Sequence, residues 1–594
     1  MIWLREATIP VMLALIVLML PNSLADSAHK VIRVPDDYGT ITLAVNAASP
    51  EDTILVAEGT YFEHLVIEKP LSLVGANCSS IVDGYGSGTV MYISASNVNV
   101  TGFTIRNSSL AYPRSAIFLE GCSGVNIVGN LIRDLNGYSV LMRYSSDNSI
   151  VNNSITNNDY GIQIESSYNN SVIDNEIFCN RYGIGIVNAE NNVVADNSIS
   201  YCFEGIELDS SSGNLLRNNK MLGNTFNFGV VGDSLSDFIN DVDISNKVDD
   251  KPIYYWINQD SKQVPDDAGY VAVVNSTNIT VRDLALKWNV QGLVFAFTNN
   301  SVIENVDATW NFRGIDFLYS NKNKILRANI TRNDVYGILV LESDDNIFEG
   351  SIVEFSNVCS FQMEHSNCNK ITNNTIASSV HCGIALVDCD RNLIIDNALS
   401  TNERGLVVCR SPHNLIARNQ ILSNDIGIQL MYPEATANTI QDNTIRSNDF
   451  GIDIEGGVRN ILFHNNLVNN AHHVTSGEEL NAWDNGVEGN YWNEYNGTDI
   501  DQDGIGDSPY TIDAANKDQH PLMSLYATAP PTIPSDLNKD GIVDIRDCLK
   551  VANAFGSCPG YLHYDINIDA NQDLTIDIFD IIMFALNFGK NSAP

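Results

Sequence analysis

A glycine followed by alternating apolar residues recurs along this chain every 22 to 24 residues within two blocks. Aligned on that glycine, the copies stand at Gly161, Gly183 and Gly205. They resume at Gly292, Gly314, Gly337, Ser360 (serine in place of glycine), Gly383, Gly405, Gly427 and Gly451. The first and third residues after it are apolar in every copy, as in Ile184 and Ile186 or Ile452 and Ile454. Period-two alternation means strand, with one set of side chains in and the other out. Three residues before the glycine, Asn recurs at Asn158, Asn180, Asn289, Asn311, Asn357, Asn402, Asn424 and Asn448. Asn tolerates left-handed backbone at corners, and Asn stacked on Asn forms amide ladders. Units this short cannot bury a core alone and must stack into a solenoid. The LxxLxLxxN pattern of leucine-rich repeats is absent. The predicted class is therefore mainly β: a right-handed parallel β-helix with three short strands per coil, plus a small helical calcium-loop domain.

Domain boundaries follow from where the repeat stops. Arg5, the apolar run Ile9 to Leu20 and the small residues Ser23 and Ala25 predict a signal peptide over residues 1–25. The run is short for a membrane span, so the mature chain is expected to be secreted or cell-surface, without membrane insertion. The β-helix and its cap take residues 26–490, with a swollen coil at about 230–268, where Gly229 and Gly269 lie 40 apart. An Asp-rich closing segment (491–525), a Pro/Thr linker (526–535) and the calcium-loop domain (536–590) complete the chain.

The formal net charge is −39 and the pI about 4.4. Such a surface excludes nucleic acid as a natural partner, disfavours polyanionic glycans and suits divalent cations. Eleven cysteines are an odd number; Cys359 and Cys382, one repeat apart, are placed to stack, and Cys548 lies near Cys558 in sequence.

The stretch "VPDDYGTITLAVNAASPEDTILVAEGTYFEHLVIEKPLSLVGA" predicts a helix over Thr40 to Ala48 before the strands begin. It resembles the N-terminal cap of pectin-lyase-like β-helices. The coils resemble the NosD-type (periplasmic copper-binding) β-helix family and the wider carbohydrate-binding and sugar-hydrolysis group, over roughly residues 31–525. Fold does not give activity. The Asp344-Asp345 pair, His381 and the coil-preceding Arg313 and Arg404 do not complete the catalytic motifs of the β-helix polygalacturonases or pectate lyases. The His and Met residues are scattered, with His472-His473 the only doublet.

Function must then come from departures from the repeat. The swollen coil brings Tyr254, Tyr255 and Trp256, while Trp288 and Trp310 stand 22 apart, each four before its glycine. Five aromatics there make a candidate carbohydrate-stacking surface; burial beneath the loop is the alternative. Acids fall at outward positions, among them Glu165, Glu207, Asp209, Asp316 and Asp453. Glu207 and Asp209, at i and i+2 on one strand, lie about 6 to 7 Å apart and are candidate catalytic carboxylates, against the plainer view of a solvated acidic face. Between these acids the face is apolar (Val294, Ala296, Leu318, Leu339, Leu341, Ala385, Val407), so a cover is expected.

Calcium is the cofactor expected at the C-terminus. "DLNKDGIVDIRD" puts Asp536, Asn538, Asp540, Ile542 (through its carbonyl), Asp544 and Asp547 at loop positions 1, 3, 5, 7, 9 and 12. "DANQDLTIDIFD" repeats the set as Asp569, Asn571, Asp573, Thr575, Asp577 and Asp580, with Leu574 where Gly541 stands in the first loop. Two loops, each with a following helix, resemble a type I dockerin. That resemblance implies a cohesin-type partner, met through Ile545-Arg546 and Ile578-Phe579. A weaker loop comprises Asp499, Asp501, Asp503 and Asp507. Three function classes remain open: a carbohydrate- or partner-binding platform docked on a scaffold; a polysaccharide lyase or glycoside hydrolase; and a NosD-like copper maturation protein.

Overall fold

The computed structural model describes residues 29–109, 112–527, 535, 537, 543–571 and 573–588. The signal peptide expected over 1–25, and Asp536, Asn538, Asp540 and Ile542, lie outside the described residues.

Coils stack in register as parallel strands, three to a coil, as in Cys382–Val387, Leu393–Ile395 and Ala398–Ser400. The two apolar residues after each coil glycine point inward, and none is more than 2% exposed. The glycine is there because the next coil leaves no room. A Cβ on Gly183 would stand 2.3 Å from the Gly205 carbonyl oxygen and 2.8 Å from Ile199 Cγ2.

Corners are built from two residues with opposite fates. The first is left-handed, as in Asn373, Asp396 and Arg418 (φ 55°, 59° and 55°). The second is a buried Asn. The backbone N–H of Asn374 donates to Asn397 Oδ1 at 3.0 Å, and that of Asn397 to Asn419 Oδ1 at 2.9 Å. The Asn397 amide donates to the Ile371 carbonyl at 2.8 Å. These ladders satisfy backbone groups that the turns would otherwise leave buried and unpaired. One expected member fails: Asn357 is exposed, and Ser356 occupies the buried site, because that coil carries one more residue.

Both ends of the solenoid are covered. The cap helix Ile41–Ala47 begins at Thr40, which accepts from the Leu43 N–H, and Glu63 accepts from the N–H groups of Ile41 and Thr42. At the far end Trp483 and Trp492, each 1% exposed, close the second core, with Tyr510 stacked on Trp492 at 4.2 Å. Open strand edges invite association, and these caps remove them.

The solenoid holds two cores that meet at the swollen coil. The chain leaves the first stack after Phe226–Val231, makes a 3-10 turn at Leu235–Phe238, and returns through Lys251–Ile257 and Tyr270–Val274. Tyr270, Ala272 and Val274 point into the first core; Val271 and Val273 point into the second. Val294, Ala296 and Leu318, on the outer face of the second stack, join the first core, so this part of the apolar face is covered from within the chain. Among the described residues no helix is long and apolar enough to cross a membrane.

The C-terminal domain consists of helices Ile545–Ala554 and Ile578–Ala585. Asp544 and Asp577 cap them, with Asp547 and Asp580 closing the capping boxes. Val551, Ala554, Tyr564, Ile576 and Phe584 share one core with Leu393, Ile395, Leu415 and Ala417 of the solenoid flank. All eleven cysteines are free. Cys359 and Cys382 are register partners on adjacent strands. A hydrogen bond from Cys359 holds the Cys382 thiol below its ordinary range.

Candidate functional site

Trp288 and Trp310 occupy left-handed corners (φ 60° and 61°), where more distant coils carry small or polar residues such as Asn157, Ser378, Thr401, Ser423 and Ser447. A bulky side chain there costs conformational energy, so its presence asks for a reason. The rings stack at 5.4 Å and 18° and remain 40% and 42% exposed. The swollen coil does not bury them. Arg332 continues the column, its guanidinium 5.1 Å from the Trp310 ring and 5.2 Å from Phe355. Arg332 and Phe355 are also left-handed and exposed. Sequence reasoning missed both, although they stand in the same corner column of the two following coils.

The rest of the expected aromatic set divides. Tyr255 is 7% exposed and donates to the Phe238 carbonyl at 2.7 Å, so it is a core residue and cannot stack on a sugar. Its strand is sandwiched between the two cores, a placement no period in the sequence reveals. Tyr254 donates to Asp267 at 2.7 Å, and Trp256 meets it edge-on at 6.2 Å. Both are half-buried beside the second core, apart from the Trp288–Trp310 column in the strand pairing.

The carboxylates assemble differently from the expected pair. Glu207 shares a hydrogen bond with Glu204 and not with Asp209, which accepts from the Ser210 hydroxyl at 2.9 Å. Burial, then the charge of Glu207, pushes the Glu204 carboxyl up to about 9, with Arg313 opposing. Burial also raises Glu207. Arg313 arrives from the second stack, 106 positions on from Glu207 in sequence, and its Nε donates to Asp316 Oδ2 at 2.8 Å. Asp316, expected on an outward acidic face, is fully buried, and its Oδ1 has no hydrogen-bond partner. Phe226 and Phe312 close the same junction at 5.6 Å. In register with Glu204 runs a tyrosine column: Tyr138, Tyr160 and Tyr182, stacked at 4.3 Å and 4.6 Å. The aligned phrases "DYGIQI", "RYGIGI" and "FEGIEL" carried this signal, since Glu204 replaces an aromatic just before the coil glycine. Nothing local pointed to Arg313 as its neighbour.

Acidic loops form the third region. Asp499, Asp501 and Asp503 each bring a carboxylate oxygen within 4.8 Å of the others, and Asp499 Oδ1 is unpartnered. Asp507 instead accepts from the Ile500 N–H and the Thr498 hydroxyl. In the second acidic loop of the C-terminal domain, Asp569 accepts from Leu574 N–H at 2.9 Å, Asp573 from Thr575 N–H and Asp577 from Phe579 N–H. Asp580 accepts from Ala570 N–H, as Asp547 does from Leu537 N–H in the first loop. Among the described residues, the contacts of Asp544 and Asp547 in the first loop repeat those of Asp577 and Asp580 in the second. Burial, then the charges of Asp580 and Asp573 against a Tyr564 hydrogen bond, leaves the Asp569 carboxyl raised to about 6. Carboxylates crowded in this way fit a divalent cation, although they are not gathered as tightly as Asp499, Asp501 and Asp503.

The geometry defines a right-handed parallel β-helix in two stacked segments with a small helical appendage. Family comparison divides the chain at the same place. The NosD model, described as periplasmic copper-binding protein (NosD), matches residues 45–246. The right handed beta helix region model matches residues 269–386 and 314–468. Within the NosD match the single histidine is His64, and Met91, Met142 and Met221 are core residues no more than 1% exposed. No group of three His, Cys or acidic ligands gathers there among the described residues. No curated protein matches the chain. Among solved structures, the alginate lyase from Paenibacillus sp. str. FPU-7 is 18% identical, with 47% of this chain and 94% of that one covered at a TM-score of 0.32. The Yersinia enterocolitica family 28 exopolygalacturonase is 10% identical, with 58% and 78% covered at 0.32. Pectate lyase Pel9A is 10% identical, with 51% and 77% covered at 0.30. At these values the likenesses carry nothing about chemistry.

Proposed function

We propose that this chain is an exported, calcium-dependent glycan-binding platform, held to a cohesin-type partner by its C-terminal domain. The observation that carries the glycan reading is the Trp288–Trp310 pair. It is rigidly stacked, more than a third exposed and held in backbone that disfavours large side chains. Rings of this kind meet the C–H faces of sugars at little entropic cost, and Arg332 beside them offers donors to hydroxyls. The net charge of −39 points to neutral glycans. The partner reading is supported by the apolar outer face of the two C-terminal helices, where Ile545, Leu549, Ile578, Phe579, Ile582 and Leu586 are 49% to 75% exposed. Binding of neutral polysaccharides on an array, with Trp288→Ala and Trp310→Ala beside the parent chain, tests the first part. Undiminished binding by both variants refutes it.

A second reading, cleavage of a polysaccharide, is favoured by the junction pair. A carboxylic acid that stays protonated near neutral pH beside a second carboxyl is the arrangement acid–base chemistry requires. Glu204 would be the proton donor, Glu207 its partner, and Arg313 the fixed positive charge. Release of reducing ends from any arrayed glycan, abolished by Glu204→Gln, supports this reading; binding with no turnover excludes it.

A further inference from the structure

The second acidic loop differs from the first at its sixth position, where the tight turn favours glycine and the chain has Leu574. Leu574 is held at φ 69°, a left-handed conformation that disfavours a branched side chain. It is nevertheless only 9% exposed, because it belongs to the core shared with Leu393, Ile395, Leu415 and Ala417 of the solenoid. Leu393 and Leu574 line one cleft between the two bodies. The strain therefore has a local reason: the side chain faces the solenoid and not water.

Three further contacts belong to the same interface. Gly560 has φ 90°, and a Cβ there would stand 2.5 Å from the Ala437 carbonyl oxygen and 2.9 Å from Ala437 Cβ. Its N–H donates to Thr439 Oγ1 at 2.9 Å. Below it, Gln441 Nε2 reaches Asp565 Oδ1, and Asn567 Nδ2 reaches Asp442 Oδ2, both at 3.3 Å. Backbone approach that only glycine permits, a buried leucine and side-chain hydrogen bonds together describe a fitted surface rather than a tethered domain.

We propose that the second loop is the solenoid-docking half of the C-terminal domain, with Leu574 as its anchor and calcium in that loop tightening the contact. The outer face of the two helices is left for the external partner, so the domain presents one partner surface in one fixed orientation. The two repeats are then not interchangeable. The calcium clause rests on the calcium reading above. Linkage gives it a direction: an ion that binds only the ordered loop stabilises whatever needs that loop ordered.

The test places a protease site within residues 528–534 of the full chain and cuts it. In calcium, the C-terminal fragment should co-elute with the solenoid; with EDTA it should separate. Leu574→Gly, which removes both the strain and the anchor, should weaken co-elution in calcium about tenfold, as expected for exposing one buried leucine. Leu393→Glu, on the solenoid side of the shared core, should do the same, and titration calorimetry should still find calcium bound, its affinity lowered only by as much as docking is lost. Separation of the parent fragment in calcium, or full retention by both variants, overturns the docking proposal. Retention of the parent in EDTA overturns the linkage only. Absence of calcium binding with docking intact refutes the calcium reading and leaves the anchor standing.

Discussion

Trp310 and Asn311 are neighbours at one corner of one coil, yet they belong to two different regions of the molecule. Asn311 lies in a buried ladder: its N–H donates to Asn333 Oδ1 at 3.0 Å, its amide to the Leu286 carbonyl at 2.9 Å, and its Oδ1 accepts from Asn289 N–H at 3.0 Å. Trp310 stands outside the ladder, left-handed and exposed. The inner line is uniform because every coil must satisfy the same backbone groups. The outer line is free to vary because water satisfies whatever the protein does not. In this chain the outer line turns aromatic on the coils just beyond the junction. Such a solenoid keeps its fold on the inner line and writes its recognition on the outer one.

That contrast is open to attack in order of expected effect. The largest should come from the strands: Ile184→Asp, which buries an unpaired charge, should cost about 3 to 5 kcal/mol, whereas Gln163→Asp, facing outward one coil earlier, should stay within about 0.5 kcal/mol. Equal losses in denaturant unfolding would mean that inside and outside have been confused. Next comes the corner itself. Asn311→Ala should cost about 2 kcal/mol by leaving buried donors and acceptors unpaired, and Trp310→Ala about 1 kcal/mol or less, since ring contacts are lost while half the ring was already wet. A Trp310→Ala loss as large as that expected for deleting a buried aromatic, about 3 kcal/mol or more, would make it a core residue.

A smaller effect is expected at the junction, and its sign follows from proton binding. Glu204 is raised to about 9 in the fold from an ordinary 4.5, so between those values the native state holds a proton that the unfolded chain releases. Stability should fall as pH rises through that window. Glu204→Gln should flatten the slope and raise Tm at pH 8 relative to the parent. A slope unchanged by the substitution would place the titration elsewhere. Smallest is Trp310→Asn, which suits the left-handed corner; it should leave Tm within a few degrees while removing half of the stacked pair from any glycan contact, checked by the same unfolding and array measurements.

Much of this was legible in the sequence. The repeat of glycine, alternating apolar residues and Asn gave the strands, the inward faces and the corners, because each coil repeats the same local physics at nearly the same interval. The stacking of Trp288 on Trp310 was legible as well, since equal offsets from the coil glycine mean equal positions in the stack; their exposure was not, because it depended on where the swollen coil lay. Where a coil carried an extra residue, the offset misled, as at Asn357.

Tertiary structure alone decided what the swollen coil does. Between Val231 and Tyr270 the repeat lapses, and no period indicates that the returning strands serve two cores at once. That geometry buried Tyr255 and Asp316, and it carried Arg313 across to Glu204 and Glu207. It also set the C-terminal domain against the flank at Leu393 and Leu415, giving Leu574 a partner that its own loop could not announce. The reason is physical: local pattern fixes which face of a strand avoids water, whereas the identity of what covers that face depends on chain returning from far away.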